Sequence, residues 1–170
     1  VLPGMRERGS GTIVNVTSVA GRLAAVAQAP YVAAKWALEG VTEELAMEVA
    51  PFGVRVAIVE PGVTKSSIFG KNIDLPNETG VYEAQYERMM QMYAAGYLHA
   101  SDAIEVARIV LHAIETDEPK LRYPVSWGGQ AIVDGRSSMT DEQWVELGTT
   151  ESLADYIAAF EHFFGIDIST

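Results

Sequence analysis

The chain has 170 residues, 48% of them hydrophobic, which is enough to build one domain with its own core. Its formal net charge of −11 at pH 7 argues against nucleic acid or an anionic membrane as a partner, and no stretch is apolar enough to span a bilayer. The absence of cysteine excludes disulfides and thiolate chemistry; we predict no metal site and a cytoplasmic location.

The first predicted elements are a strand and a long helix. The β-branched residues of Thr12–Val16 favour a buried parallel strand. A loop of small residues, Ser18–Ala29, leads to a helix that begins at about Pro30, where proline suits the first turn. Pro51-Phe52-Gly53 ends this helix after Val49, and its apolar residues fall on two faces, which predicts burial from both sides.

Two residues at the start of this helix are suited to moving a proton. Tyr31 and Lys35 are four positions apart, so they share one helix face. A phenol has a pKa of about 10, and ionising it near neutral pH costs roughly 4 kcal/mol. A lysine cation about 5 Å away supplies roughly 3 kcal/mol at an effective dielectric of about 20. Ser18 precedes Tyr31 by 13 residues, at the end of the strand.

The second predicted strand is Val54–Val59, which runs through Glu60 into a Pro61-Gly62 turn. Lys65–Gly80 is predicted to be irregular. The elements predicted after it are a helix over Val81–Tyr93, a helix capped by Ser101 and running to about Glu115, a strand over Leu121–Val125, a short helix from a Thr140/Gln143 capping box to about Leu147, and an amphipathic helix over Ser152–Phe164. The Tyr/Met stripe in the first of these helices fits either a lid over a lipophilic substrate or a packing face.

The order of strand, serine, Tyr/Lys helix, strand and Pro-Gly turn closely resembles the short-chain dehydrogenase/reductase family. The resemblance is firm from about Gly11 to Ser67 and looser to about Val125. It implies an α/β fold, the C-terminal part of a doubly wound parallel-sheet (Rossmann-type) domain. It also implies an oxidoreductase that transfers hydride between NAD or NADP and a small alcohol or carbonyl substrate.

The family pattern implies roles for residues that match it. Tyr31 would be the general acid/base, Lys35 would lower its pKa and bind the nicotinamide ribose, and Ser18 would hydrogen-bond the substrate oxygen. The loop that meets the nicotinamide carboxamide would hold the cofactor-binding residues Pro61, Gly62, Thr64 and Ser66. The family usually has a branched aliphatic residue at the position of Thr64, which would therefore act mostly through its backbone.

A glycine-rich strand-to-helix turn, which holds the cofactor pyrophosphate in this family, is not found ahead of Ser18. We therefore expect a single partial domain from a longer enzyme: a catalytic core over 1–67, a substrate loop or lid over 68–100, and C-terminal helices with a short strand over 101–170. The 170 residues alone are expected to be inactive. The outer edge of the first strand is expected to be covered by further residues or another chain.

Two other functions fit parts of the pattern. A non-catalytic protein could keep the fold as a regulator, although the intact Ser18, Tyr31 and Lys35 argue against it. An epimerase or dehydratase of the related nucleotide-sugar branch shares the Tyr/Lys pair, but the Pro61-Gly62 loop favours the simpler branch. The resemblance also implies a homodimer or homotetramer. The substrate and the choice between NAD and NADP are not fixed by these residues.

Overall fold

The structure, a computed structural model, describes residues 1–68 and 77–170. These two ranges contain helices α1 (Leu2–Arg8), α2 (Ala29–Val49), α3 (Glu83–His99), α4 (Ala103–Glu115), α5 (Gly129–Ser138), α6 (Asp141–Leu147) and α7 (Leu153–Phe164), and strands β1 (Gly11–Val16), β2 (Val54–Pro61) and β3 (Arg122–Val125). Single turns of 3₁₀ helix occupy Val19–Gly21 and Ala50–Phe52.

The three strands form one parallel sheet in the order β1-β2-β3. Gly11 of β1 pairs with Val54 of β2, and Ile58 of β2 pairs with Arg122 of β3. The central strand is almost wholly buried, as its continuous apolar run predicts for a parallel sheet covered on both faces. Within the described residues β1 is an edge strand, and its side chains are only partly buried.

Alternate residues of β2 face opposite layers of helix, which confirms the α/β fold. Val54 and Val56 pack with residues of α2 and α1 on one face. Ala57 and Val59 pack with α4 on the other. Because side chains alternate along a strand, one apolar run supplies both layers of a doubly wound sheet.

A second core lies between the C-terminal helices. Phe160 and Phe164 of α7 pack against Ile132 of α5, and Leu23 from the loop after β1 joins the same cluster. α5 was not predicted from the sequence, because Gly135 stands in its middle and glycine disfavours helix. A Cβ at Gly135 would lie 2.4 Å from the Phe164 ring, so the close approach of α5 and α7 requires glycine there.

Several predicted boundaries are confirmed and one cap is wrong. The Thr140 capping box is present as predicted, and Ser152, the first residue of the predicted last helix, is its N-cap. The helix predicted over Val81–Tyr93 begins two residues later and extends to His99. Ser101 does not cap α4: the helix begins after Asp102, and the Ser101 Oγ instead accepts a hydrogen bond from the backbone N–H of Trp127 at 3.1 Å. Part of the predicted irregular stretch and lid, residues 69–76, lies outside the described residues.

Helix α2 is buried on one face only in the single chain. Its buried residues, such as Thr42 and Val49, pack toward the sheet. Trp36, Val41 and Met47 on its other side are more than half exposed, at 51%, 61% and 76%. The prediction that α2 is covered from both sides therefore requires a partner that this single chain does not supply.

Candidate active site

Ser18 is held where the carboxyl ends of β1 and β2 meet. Its backbone is extended, and its Oγ accepts a hydrogen bond from the N–H of Ala20, which caps the 3₁₀ turn that follows. The same hydroxyl lies 3.4 Å from the carbonyl oxygen of Pro61 on β2. Ser18 is 8% exposed, so two backbone contacts fix this buried hydroxyl at the edge of the sheet.

Tyr31 and Lys35 lie on the first two turns of α2, as the four-residue spacing predicts. The Nζ atom of Lys35 lies 5.7 Å from the centre of the Tyr31 ring and donates to the carbonyl oxygen of Val16 at 3.4 Å. Burial lowers the pKa of the Lys35 ammonium. The Tyr31 side chain remains 37% exposed and is therefore accessible to a ligand.

A single cleft of about 1020 Å³ joins most of the predicted site residues. Ser18 and Tyr31 line it, together with Pro61, Gly62, Thr64 and Ser66. Lys35 does not line the cleft but reaches it through its contact with the Tyr31 ring. The cleft opens at the carboxyl ends of the parallel strands, where ligands bind in doubly wound sheets.

The loop after β2 is anchored to the segment that follows β3. The N–H of Gly62 donates to the carbonyl of Val125 at 2.8 Å, and a Cβ on Gly62 would lie only 2.1 Å from the carbonyl oxygen of Trp127. The Thr64 hydroxyl is hydrogen-bonded to Ser126 Oγ at 2.8 Å. Ser66 is exposed at the mouth of the cleft. Glycine at position 62 is thus required for this close approach.

Comparison with known proteins places this geometry in a family. Residues 1–76 match the family model described as short chain dehydrogenase. The uncharacterized oxidoreductase YusZ of Bacillus subtilis is 32% identical over 152 residues, which are 86% of this chain and 54% of that protein. The crystal structure of a short-chain dehydrogenase from Streptomyces avermitilis superimposes with a TM-score of 0.70 at 35% identity, over 88% of this chain and 56% of that one. The chain belongs to the short-chain dehydrogenase family.

Other members of the short-chain dehydrogenase family are similar over less of their length. The mouse 17-beta-hydroxysteroid dehydrogenase type 1 is 34% identical over 129 residues, which are 72% of this chain and 37% of that protein. The chain thus spans about half the length of the Bacillus subtilis and Streptomyces avermitilis proteins, and about a third of the mouse enzyme.

A group of charged residues behind the candidate site, two buried carboxylates and two partly exposed arginines, was not recognised from the sequence. We call it the sheet-side ion cluster, formed by Glu39, Glu60, Arg22 and Arg122. Arg122 Nε lies 3.2 Å from Glu39 and 3.5 Å from Glu60, and Arg22 Nη1 lies 3.4 Å from Glu60. Thr17 Oγ1 donates to Glu39 at 2.5 Å. The two carboxylates thus share Arg122 between them.

The sheet-side ion cluster connects the elements that carry the site. Glu39 lies one helical turn after Lys35, Thr17 immediately precedes Ser18, and Glu60 immediately precedes Pro61. Glu60 is fully buried and its Oε2 has no hydrogen-bond partner in the described part of the chain. Burial raises the pKa of the Glu60 carboxyl, and the charge of Glu39 raises it further, against the opposing effect of the two arginines.

One signal in the sequence could have pointed to this cluster. Glu60 is a charged residue directly after the apolar run Val56–Val59 of a strand, and buried charges need partners. No local pattern identifies which residues pair in this cluster, because Arg122 and its partner Glu39 are 83 positions apart. The pairing depends on the sheet order, which brings β3 beside β2.

The remaining predictions about metals and membranes concern absences. In the described ranges, no three or more His, Cys, Asp or Glu side chains are grouped to hold a metal ion. No helix there has the length and apolarity that crossing a membrane requires. The ring of His99 stacks on Trp127, while His112 and His162 lie edge-on to neighbouring aromatic rings, so each of these exposed histidines contacts an aromatic side chain.

Proposed function

We propose that this chain carries the proton-transfer site of an oxidoreductase that interconverts an alcohol and its carbonyl compound with NAD or NADP. The observation that carries the proposal is the shared cleft: Ser18 and Tyr31 line it, and Lys35 lies against the Tyr31 ring. Family membership supports it, because the relatives of this chain include an oxidoreductase and a hydroxysteroid dehydrogenase.

In this proposal each side chain acts on the substrate oxygen or on Tyr31. During alcohol oxidation the Tyr31 phenolate accepts the hydroxyl proton as the carbonyl double bond forms, and during reduction the phenol returns it. The Ser18 hydroxyl donates a hydrogen bond to the same oxygen and stabilises charge that develops on it. The Lys35 cation lies against the Tyr31 ring and stabilises negative charge on the phenol oxygen. When bound, NAD or NADP would supply the hydride acceptor or donor for the carbon that carries this oxygen.

The residues at the cleft mouth fit the nicotinamide end of such a cofactor. The loop from Pro61 to Ser66 extends past the carboxyl edge of the sheet and offers backbone groups and the exposed Ser66 hydroxyl, which suit a carboxamide. The Lys35 ammonium would bind the ribose hydroxyls. The Thr64 hydroxyl is already bonded to Ser126, which agrees with a backbone role for Thr64.

The test is nicotinamide turnover by the natural full-length protein that carries these residues. We expect absorbance change with at least one member of a ketone and alcohol panel, and a large loss in Ser18→Ala and Lys35→Met. Cofactor binding with no turnover of any substrate would favour the non-catalytic alternative. Conversion of a nucleotide sugar without net change of the nicotinamide would favour the epimerase or dehydratase branch.

A second copy of the chain is the partner we propose for the exposed face of α2. Trp36, Val41 and Met47 present exposed apolar side chains on the part of α2 that faces away from the sheet. Burying such a face in a homodimer or homotetramer removes it from water. Sedimentation of Val41→Glu against the unsubstituted protein tests this, since an unchanged mass would contradict it. A cytoplasmic location stays a prediction.

A further inference from the structure

Arg88 of α3 is a buried cation on the wall of the cleft. It is 5% exposed, and in the described residues it is the one lysine or arginine that falls in the buried class. Its Nη1 donates to the carbonyl of Gly148 at 2.8 Å and its Nη2 to that of Thr150 at 2.6 Å. The guanidinium also lies 5.1 Å from the centre of the Tyr156 ring.

The charge of Arg88 has no carboxylate to balance it within the described residues. Arg22, Arg122 and Arg136, which are more exposed, each form an ion pair with Asp or Glu. Two carbonyl oxygens, one of them from Gly148 at the end of α6, satisfy two of the five N–H donors of Arg88 and offset part of its charge as dipoles, but neither supplies a full negative charge. A buried charge without a counter-charge is costly, so its position calls for an anion.

The surroundings of Arg88 combine a polar corner with apolar walls. Gln85 lies on the same helix three residues earlier, and both residues line the cleft beside Tyr156. Burial raises the pKa of the Tyr156 phenol, so its hydroxyl keeps a proton to donate. We call Gln85, Arg88 and Tyr156 the cationic corner. The cleft wall around it is apolar, formed by Leu23, Met89, Met92, Leu147 and Phe160.

We propose that the cleft binds a substrate with an apolar body and one carboxylate, and that Arg88 pairs with that carboxylate. This rests on the proposed function, because Tyr31, which lines the same cleft, would act on the substrate's alcohol or carbonyl oxygen. A guanidinium matches a carboxylate with two parallel hydrogen bonds. One arginine balances one negative charge, whereas a phosphate of nearly two charges would leave one unbalanced.

If Arg88 had only a structural role, its loss would have a different effect on activity. Its bonds to Gly148 and Thr150 anchor the segment between α6 and α7, so its loss could disturb the cleft for every substrate equally. A carboxylate partner instead makes the loss selective for acids over their esters. The measurement that separates the two is a ratio of rates, which a general loss of folded enzyme leaves unchanged.

The experiment uses oxododecanoic acids with the ketone at successive positions, each paired with its methyl ester. For the full-length protein we expect kcat/KM to favour the acid, and the acid-to-ester ratio to fall about 10- to 100-fold in Arg88→Met. Arg88→Lys should keep part of the preference. The matched control is Arg136→Met, since Arg136 also bonds a backbone carbonyl and lies over an aromatic ring, yet does not line the cleft.

Dodecanoate and methyl dodecanoate, used as inhibitors of the unsubstituted protein, give a readout that needs no variant. Stronger inhibition by dodecanoate is expected, and equal inhibition would overturn the carboxylate site. An unchanged acid-to-ester ratio in Arg88→Met, with both rates reduced, would assign Arg88 a structural role only. If esters and neutral ketones were turned over as well as acids, the carboxylate site would be refuted and the proposed function would stand. If no ketone were turned over, the proposed function itself would be refuted.

Discussion

Two regions of buried charge flank the cleft, and they are built in opposite ways. In the sheet-side ion cluster the buried Glu39 and Glu60 face Arg22 and Arg122, so positive and negative charges lie together. At the cationic corner Arg88 has only neutral partners among the described residues. The balanced group suits the positioning of the residues around it, while the unbalanced group suits the binding of a charged ligand.

The largest expected effect comes from breaking the balanced region. Arg122→Met removes the cation that Glu39 and Glu60 share, and we expect it to lower the free energy of unfolding by about 3–5 kcal/mol, because buried Glu39 loses its ion-pair partner and buried Glu60 keeps only Arg22. Urea unfolding at neutral pH measures this. Lys65→Met serves as the control, since its ion pair with Asp102 is exposed and should contribute less than about 1 kcal/mol. Equal losses in the two variants would refute the comparison.

A smaller loss is expected from Arg88→Met. The substitution leaves the carbonyls of Gly148 and Thr150 without their donors, at a cost of about 1–3 kcal/mol, but it also removes an uncompensated buried charge. The same urea measurement applies. If Arg88→Met destabilised the protein as much as Arg122→Met, Arg88 would be a structural residue of the same kind, and the contrast between the two regions would disappear.

The smallest expected effect is a pH-dependent gain in the free energy of unfolding of the Glu60→Gln variant. The pKa of Glu60 in the folded protein is raised above its ordinary value of 4.5, mainly by burial. The folded state therefore keeps the proton longer than the unfolded state, and stability is lost as the pH rises through the folded pKa. Glutamine cannot ionise. The free energy of unfolding of the variant should therefore rise relative to that of the unsubstituted protein as the pH goes from acidic to neutral. If the free energy of unfolding of the variant instead fell relative to that of the unsubstituted protein over this range, the effect of the two arginines on the Glu60 pKa would outweigh the effect of burial.

Local patterns predicted where Ser18, Tyr31 and Lys35 lie, because these three residues are close in sequence. The four-residue spacing of Tyr31 and Lys35 on a helix, and the position of Ser18 at a strand end, follow from regular geometry alone. The Thr140 capping box was equally readable, since both of its hydrogen bonds are formed within one turn.

The features that sequence did not predict depend on distant contacts. Glu39 and Arg122 meet only because β3 lies beside β2. Arg88 reads as one charge on an amphipathic helix, and its burial follows from packing on Tyr156 and the α6–α7 segment. Helix α5 escaped prediction because Gly135 is there for close packing, which opposes its local propensity.

Tyr31→Phe tests the central claim most directly, because it removes one oxygen atom and leaves the ring against Lys35. In the full-length protein we expect nicotinamide turnover to fall about a hundred- to ten-thousand-fold, with binding of the inhibitor dodecanoate unchanged. That result would locate the loss in proton transfer rather than in folding or binding. Turnover equal to that of the unsubstituted protein would contradict the assignment of Tyr31 as the general acid/base.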